Sequence, residues 1–302
     1  MTKYVLKRLL YMIPVLFGVT FLVYLMMRWA PGDPNKAVLR GVTDPKQIEA
    51  IREAHGLNDP MIVQYGRTMK ALLIDDAGKV RTKILYRLPF TAKLAAAATV
   101  IAIGMALPIG VVAAVKQNSI FDGFSMMLSF VGVSMPSFWL ALLVVLFFSL
   151  RLGWFPSSGS DSWKCIVLPA FTLGFCDMAY ISRITRSSML ETIRQDYIRT
   201  ARAKGMSYPA VIRRHALKNA LIPIITVAGL RLCELFSGAI LIENIFAWPG
   251  IGRLLIDALQ SRQIPMILGC VITFAICFSF INLIVDLLYA FFDPRVKSEF
   301  AN

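Results

Sequence analysis

Tyr197-Ile-Arg-Thr-Ala-Arg-Ala-Lys-Gly205-Met-Ser-Tyr-Pro-Ala-Val-Ile-Arg-Arg-His-Ala-Leu-Lys-Asn-Ala220 is a basic, amphipathic stretch set between two long apolar runs. In lipid, Arg199, Arg202, Lys204, Arg213, Arg214 and Lys218 would each cost roughly 2.5–3.5 kcal/mol, so the stretch belongs in water. The expectation is a membrane protein that presents a structured helical loop on one aqueous side. Such a loop meets a protein partner or lies on the lipid surface.

Outward from this loop, the apolar runs set the fold class. Leu9 to Met27, Leu94 to Val115 and Gly123 to Leu150 carry no charge. Three more carry isolated charges: Cys165 to Ile181 with Asp177, Ala220 to Ile242 with Arg231 and Glu234, and Met266 to Phe292 with Asp286. Crossing a bilayer takes roughly 17–25 residues. The pattern predicts an all-α integral membrane protein with about six transmembrane helices, near 9–29, 94–115, 123–150, 165–186, 220–242 and 266–292. A hydrophobic content of 57% over 302 residues excludes an ordinary soluble domain. No internal repeat, low-complexity tract or soluble-domain linker interrupts the chain, so 1–302 reads as a single membrane domain. The first run follows Lys3, Lys7 and Arg8, as in a signal peptide. It is long and ends at Trp29-Ala-Pro31-Gly-Asp-Pro34 without a small-x-small site, so it reads as a retained span.

The net charge of +14 is read as a positive-inside bias. Nucleic-acid binding is disfavoured, because the chain has neither an aromatic-interleaved basic groove nor a zinc pattern. Basic residues crowd the stretch from Arg183 to Lys218, opposed only by Glu191 and Asp196. That predicts a cytoplasmic loop at 187–219, and six spans then put both termini in the cytoplasm. Lys3, Lys7 and Arg8 at one end, and Arg295 and Lys297 at the other, agree. The short loop from Lys116 to Asp122 falls on the same side. The outer side receives 30–93, a turn-rich segment from Arg151 to Lys164, and Trp248-Pro249-Gly250, whose composition suits a break or re-entrant turn. Within the first outer loop a helix is expected after Asp44 as cap and Pro45 in the first turn, stopping at Gly56.

Inside the basic loop, Met189, Leu190, Ile193, Tyr197, Ile198 and Ala201 make a helical apolar stripe. Gly205 interrupts it. Ser207 then serves as an N-cap and Pro209 as a first-turn residue for a short second helix. Within the spans, Asp177, Glu234 and Asp286 are the carboxylates that need a reason. Glu234 can pair with Arg231 one turn away, and Asp286 lies near the cytoplasmic end. Asp177 has no close basic partner in its own span. Asp177 and Glu234 are therefore candidates for a translocation path, with a hydrogen bond to a neighbouring helix as the structural alternative for Asp177. Cys165, Cys176, Cys233, Cys270 and Cys277 form no CxxC and read as apolar packing residues. His55 and His215 form no metal constellation, and no residue pair suggests covalent or acid–base catalysis.

The loop resembles the EAA loop of ABC importer permeases, with Arg199, Thr200 and Ala201 in the leading positions, Gly205 as the glycine and Leu217 as the tail leucine. It departs from the general form in Arg-Thr for Glu-Ala and in Lys218 for a proline. The strings DYIRTARAKG, RHALKNALIP, RSSML, IFAWPGIGR, NLIVDLLYA and DPR are similar to permeases of the dipeptide/oligopeptide/nickel family. PGDP at 31–34 and GLNDP at 56–60 fit the first outer loop of the same family. The resemblance implies a type I ABC importer permease-like fold in a bacterial inner membrane. It also implies that the loop is a coupling helix seated in a groove of an ATPase subunit. Arg199, Thr200, Ala201, Arg202, Lys204, Gly205, Met206, Ser207, Arg213 and Arg214 would then carry the contact.

The chain contains no GxxxxGK[ST] phosphate loop. It is expected to be no enzyme and to hold no cofactor. ATP and Mg would belong to two cytoplasmic ATPase subunits. A second homologous permease and an extracytoplasmic solute-binding protein complete the implied assembly. The cargo would be di- or oligopeptides, or nickel or another metal–ligand complex. Glu234 and SMPSFW at 134–139 lean toward the nickel type. A rival class is a secondary transporter using Asp177 or Glu234 as a proton relay. It predicts inverted repeats with matching broken helices, which the sequence does not display. A third class, a membrane anchor for a signalling partner, leaves the polar residues within the spans unexplained.

Overall fold

The structure is a computed structural model that describes residues 2–29, 44–54, 59–75 and 77–292. Among them every regular element is helical. Five helices are long and apolar enough to cross a membrane, and a bent pair makes a sixth span when counted as one. The expected all-α membrane fold of about six spans is therefore what the chain adopts. The residues cluster into two compact units.

The first unit comprises 2–91 and 249–279. It contains α1 (Thr2–Trp29), α2 (Pro45–Ala54), α3 (Met61–Lys70), a π turn at Ala71–Asp75 and the start of α4 (Ala77–Val115). Asp44 opens α2 as expected, its Oδ1 accepting the Lys46 backbone N–H at 3.0 Å. The expected stop at Gly56, His55, the PGDP segment, and Arg295 and Lys297 with the DPR string lie outside the described residues. An aromatic cluster holds α1 to α3: Tyr65 meets Phe17, Phe21 and Tyr24 edge-on, and its hydroxyl lies 2.7 Å from Thr20 Oγ1. Later in the chain the same core receives Ile251 and Leu254 from α11 (Ile251–Gln260) and Met266, Ile267 and Leu268 from the first turns of α12 (Ile264–Phe292).

The second unit comprises 92–248 and 280–292. It takes the rest of α4, then α5 (Ile120–Ser134), α6 (Ser137–Val144) and a π turn at Val145–Arg151. After a 3-10 turn at Trp163–Ile166 come α7 (Val167–Ile193), α8 (Asp196–Ala203), α9 (Tyr208–Val211), a π turn at Ile212–Ala216 and α10 (Leu217–Ile245). Its core joins Ala102 and Ala106 of α4, Met178, Ile181 and Met189 of α7, and Ala220 and Ile224 of α10. Small residues on α4 let these backbones approach closely, as membrane helix pairs require.

Two boundaries differ from the hydropathy reading. α4 begins at Ala77, well before the apolar run that starts at Leu94, so part of the segment read as the outer loop 30–93 is helical. The basic residues Lys79, Arg81, Lys83, Arg87 and Lys93 end an apolar run but are good helix formers. The run read as one span, 123–150, is broken at Ser134-Met135-Pro136, and the helices on either side meet at 106°. Pro136 lacks a backbone donor, and it drives Met135 to φ −83°, ψ 124°. Composition alone saw no charge there and missed the proline's geometry.

Candidate functional site

The basic loop folds as two short helices on a tight turn. α7 ends at Ile193, so the apolar stripe continues from α7 into α8 rather than along one helix. Ile198 and Ala201 of α8, Val211 and Ile212 after the turn, and half-buried Met206 all pack into the core of the second unit. The turn between them is a Schellman motif: Gly205 N–H donates to the Arg202 carbonyl at 3.0 Å and Met206 N–H to the Ala201 carbonyl at 3.4 Å. Gly205 has φ +83°, the left-handed conformation that this motif places after the cap. Ser207 occupies the N-cap position of α9 with extended backbone, although its side chain makes no capping hydrogen bond, and Pro209 sits in the first turn.

Of the residues singled out in this loop, Arg199, Thr200, Arg202, Lys204, Gly205, Ser207, Arg213 and Arg214 are exposed. Ala201 is buried against the core and Met206 half-buried, so these two hold the loop rather than face outward. The Arg202 guanidinium lies over the Tyr208 ring at 5.6 Å and ties the two loop helices together. Asn219 Nδ2 donates to the Tyr197 hydroxyl at 3.1 Å, joining α8 to the start of α10. The result is a rigid two-helix knuckle, apolar underneath and basic on its outer side. Arg199 has Asp196 at 3.8 Å, an exposed contact of little energetic weight.

An ion pair that sequence reasoning missed braces the same end of the second unit. Arg186 of α7 donates to both carboxylate oxygens of Asp122 at the start of α5, at 2.5 and 2.7 Å. The Asp122 side chain is only 6% exposed. It also accepts the Asn118 N–H at 3.0 Å, which holds Asn118 at φ 63° in the α4–α5 turn. The signal lay in Asp122 being the single acid of the short loop from Lys116 to Asp122, but its partner is distant in sequence. Asp122→Ala would leave Arg186 without its fork partner, and we expect a loss of about 2 kcal/mol, the weight of a charged hydrogen bond. Thermal unfolding of the purified protein in detergent reads this as a lower midpoint; an unchanged midpoint would remove the brace from the account.

The carboxylates within the spans fall into different settings. Arg231 donates to Glu234 Oε2 at 2.6 Å, the pairing expected from their spacing. The Arg231 guanidinium also lies 3.6 Å from the Tyr180 ring centroid on α7. Asp177, one turn before Tyr180, is 9% exposed, and its Oδ2 has no hydrogen-bond partner. The neighbouring charges that act on it are Arg231 and Glu234, so the basic neighbour absent from its own span comes from α10. A buried carboxylate oxygen left unpaired costs about 1–3 kcal/mol. Asp286 is half-buried on α12. Glu243, which the hydropathy reading left just beyond the fifth run, is fully buried near the end of α10, where its carbonyl accepts the Trp248 N–H at 2.8 Å. Among the described residues no group of His, Cys, Asp and Glu is placed to hold a metal ion.

Comparison with known proteins agrees with this architecture. Residues 106–298 match the family described as binding-protein-dependent transport system inner membrane component, and residues 1–82 match its N-terminal region. The dipeptide transport system permease protein DppB of Alkalihalophilus pseudofirmus is 43% identical, covering 98% of this chain and 100% of its own length. The oligopeptide transport system permease protein AppB of Bacillus subtilis is 38% identical, covering 98% of this chain and 100% of its own. In fold, the chain is similar to a subunit of the MetNI methionine ABC transporter in an inward-facing conformation, with a TM-score of 0.61 at 17% identity, over 72% of this chain and 99% of that one. The chain belongs to the family of inner-membrane components of binding-protein-dependent transport systems, the permease subunits of ABC importers.

Proposed function

We propose that this permease imports small peptides, paired with a second homologous permease and driven by two cytoplasmic ATPase subunits that hold the ATP and Mg. A solute-binding protein on the outer side delivers the peptide. The observation that carries the reading is the knuckle at 196–216: Ile198, Ala201 and Met206 anchor it, while Arg199, Arg202, Lys204, Arg213 and Arg214 stand outward. Guanidinium groups there suit bidentate pairing with acids on the rim of a groove. Closure of the ATPases on ATP would press the knuckles of the two permeases together, and the tight packing of α7 and α10 beneath would pass that movement to the spans. Peptides are favoured over metal chelates as cargo because the relatives at 38% and 43% identity are named for peptides.

In this reading 187–219 and both termini are cytoplasmic, which the excess of basic residues from Arg183 to Lys218 and a count of six spans support. A membrane-impermeant maleimide should leave Ser207→Cys unlabelled in intact cells and label it once the membrane is opened. The tagged permease should bring untagged ATPase subunits through purification. Labelling from outside would invert the topology, and a permease that purifies with no ATPase would end the coupling assignment.

A further inference from the structure

We propose that Asp177, Tyr180, Arg231 and Glu234 form a recognition site for the two charged ends of a short peptide, Asp177 taking the α-ammonium and Arg231 the carboxylate. The inference rests on the peptide-import reading and deepens it by naming the groups that read the cargo. Asp177 and Tyr180 lie one turn apart on α7, and Arg231 and Glu234 one turn apart on α10. These two helices share the core of the second unit, which brings the four side chains together.

The arrangement differs from a closed structural ion pair. Were Asp177 present only to neutralise Arg231, the guanidinium would bond to it. Arg231 instead stacks on Tyr180 at 3.6 Å and spends a donor on Glu234 at 2.6 Å. Stacking pins the guanidinium plane and leaves its other edge donors for a carboxylate, the geometry in which arginine binds anions bidentately. Asp177 keeps a buried oxygen with no hydrogen bond, an acceptor better matched to a charged ammonium than to a neutral N-acylated end. Arg183 lies 5.2 Å from the same Tyr180 ring and adds a second positive charge beside it. A site with an acid and a base on adjoining helices fits a cargo carrying both charges. It fits neither a purely cationic nor a purely anionic one.

The test uses the complete transporter in vesicles, with ATP inside the compartment that the ATPases face. The probes are dialanine, N-acetyl-dialanine and dialanine amide. Asp177→Asn keeps shape and should shrink the preference for dialanine over N-acetyl-dialanine about tenfold, since a site built to bind a polar group rejects analogues that lack it. Arg231→Gln should do the same for dialanine over the amide, and each variant should leave the other ratio in place. A merely structural role would alter total transport and leave both ratios unmoved, and that result overturns the site. Should Asp177→Asn not reach the membrane, Arg231→Gln alone carries the test on the amide ratio, and an unmoved ratio is again fatal. A parent transporter that hydrolyses ATP yet moves none of the three probes overturns the peptide reading itself, and this site with it.

Discussion

Gly205→Asp should insert and fold as the parent chain does, yet lose transport by about tenfold or more while ATP hydrolysis continues, because like charge at a complementary interface costs several kcal/mol. Gly205 has φ +83° and closes the Schellman turn after α8. Aspartate is among the few residues with a side chain that visit this region routinely, so the turn survives at a cost of about 1 kcal/mol. A Cβ at this position meets nothing within 4 Å in the chain itself. The substitution therefore leaves the fold almost untouched and adds a negative charge to a loop whose exposed residues include Arg202, Lys204, Arg213 and Arg214. If that face docks on acidic groups of an ATPase, the new carboxylate repels them. The measurement is paired: peptide uptake and ATP hydrolysis by the same reconstituted complex. Uptake at the parent rate would show that the turn carries no contact that matters.

How much of this was legible in the residues varied with the range of the interaction. Local chemistry read well. The Gly205 turn, the Asp44 cap and the Arg231–Glu234 pair are each set by residues within a few positions of one another, and each is present. Long apolar runs also read well, because bilayer thickness fixes the length of a span. Misreadings arose where one quantity stood for another. Hydropathy marks only the apolar part of α4 from Leu94, whereas helix propensity carries the helix itself back to Ala77 through five basic residues. Absence of charge suggested a continuous span at 123–150, but Pro136 splits it. The pairs that tie distant helices were invisible for a different reason. Asp122 with Arg186, and Asp177 with its neighbour Arg231, are separated by more than fifty residues, and nothing in a single sequence marks which helices will pack. The sequence alone also treated every loop residue of the resemblance alike, whereas burial separates Ala201 and Met206, which anchor, from the arginines, which face out.

Gly110→Val should have the largest structural effect, abolishing stable protein rather than slowing transport. Gly110 lies on α4 where it crosses α7. A Cβ built there would come 2.5 Å from Thr185 Cβ and 2.6 Å from the Ser182 carbonyl oxygen. Neither can give way cheaply. Thr185 is fully buried with its hydroxyl bonded to the Ile181 carbonyl at 2.8 Å, and Ser182 Oγ lies 2.9 Å from Ser129 on α5. Inserting even one carbon must therefore part α4 from α7, and overpacking of this kind costs typically about 1–3 kcal/mol, more where backbone is the obstacle. The same crossing supports Met189 and Ile198 and, through them, the knuckle at 196–216. Gly110→Ala should lower the unfolding midpoint in detergent, and Gly110→Val should yield little protein that survives extraction. Gly104, on the same helix with open space around its Cβ, supplies the control. Gly104→Ala should be neutral or slightly stabilising, as alanine is the better helix former by about 1 kcal/mol. Equal behaviour of the alanine variants at 104 and 110 would mean that α4 and α7 do not meet at the distance described.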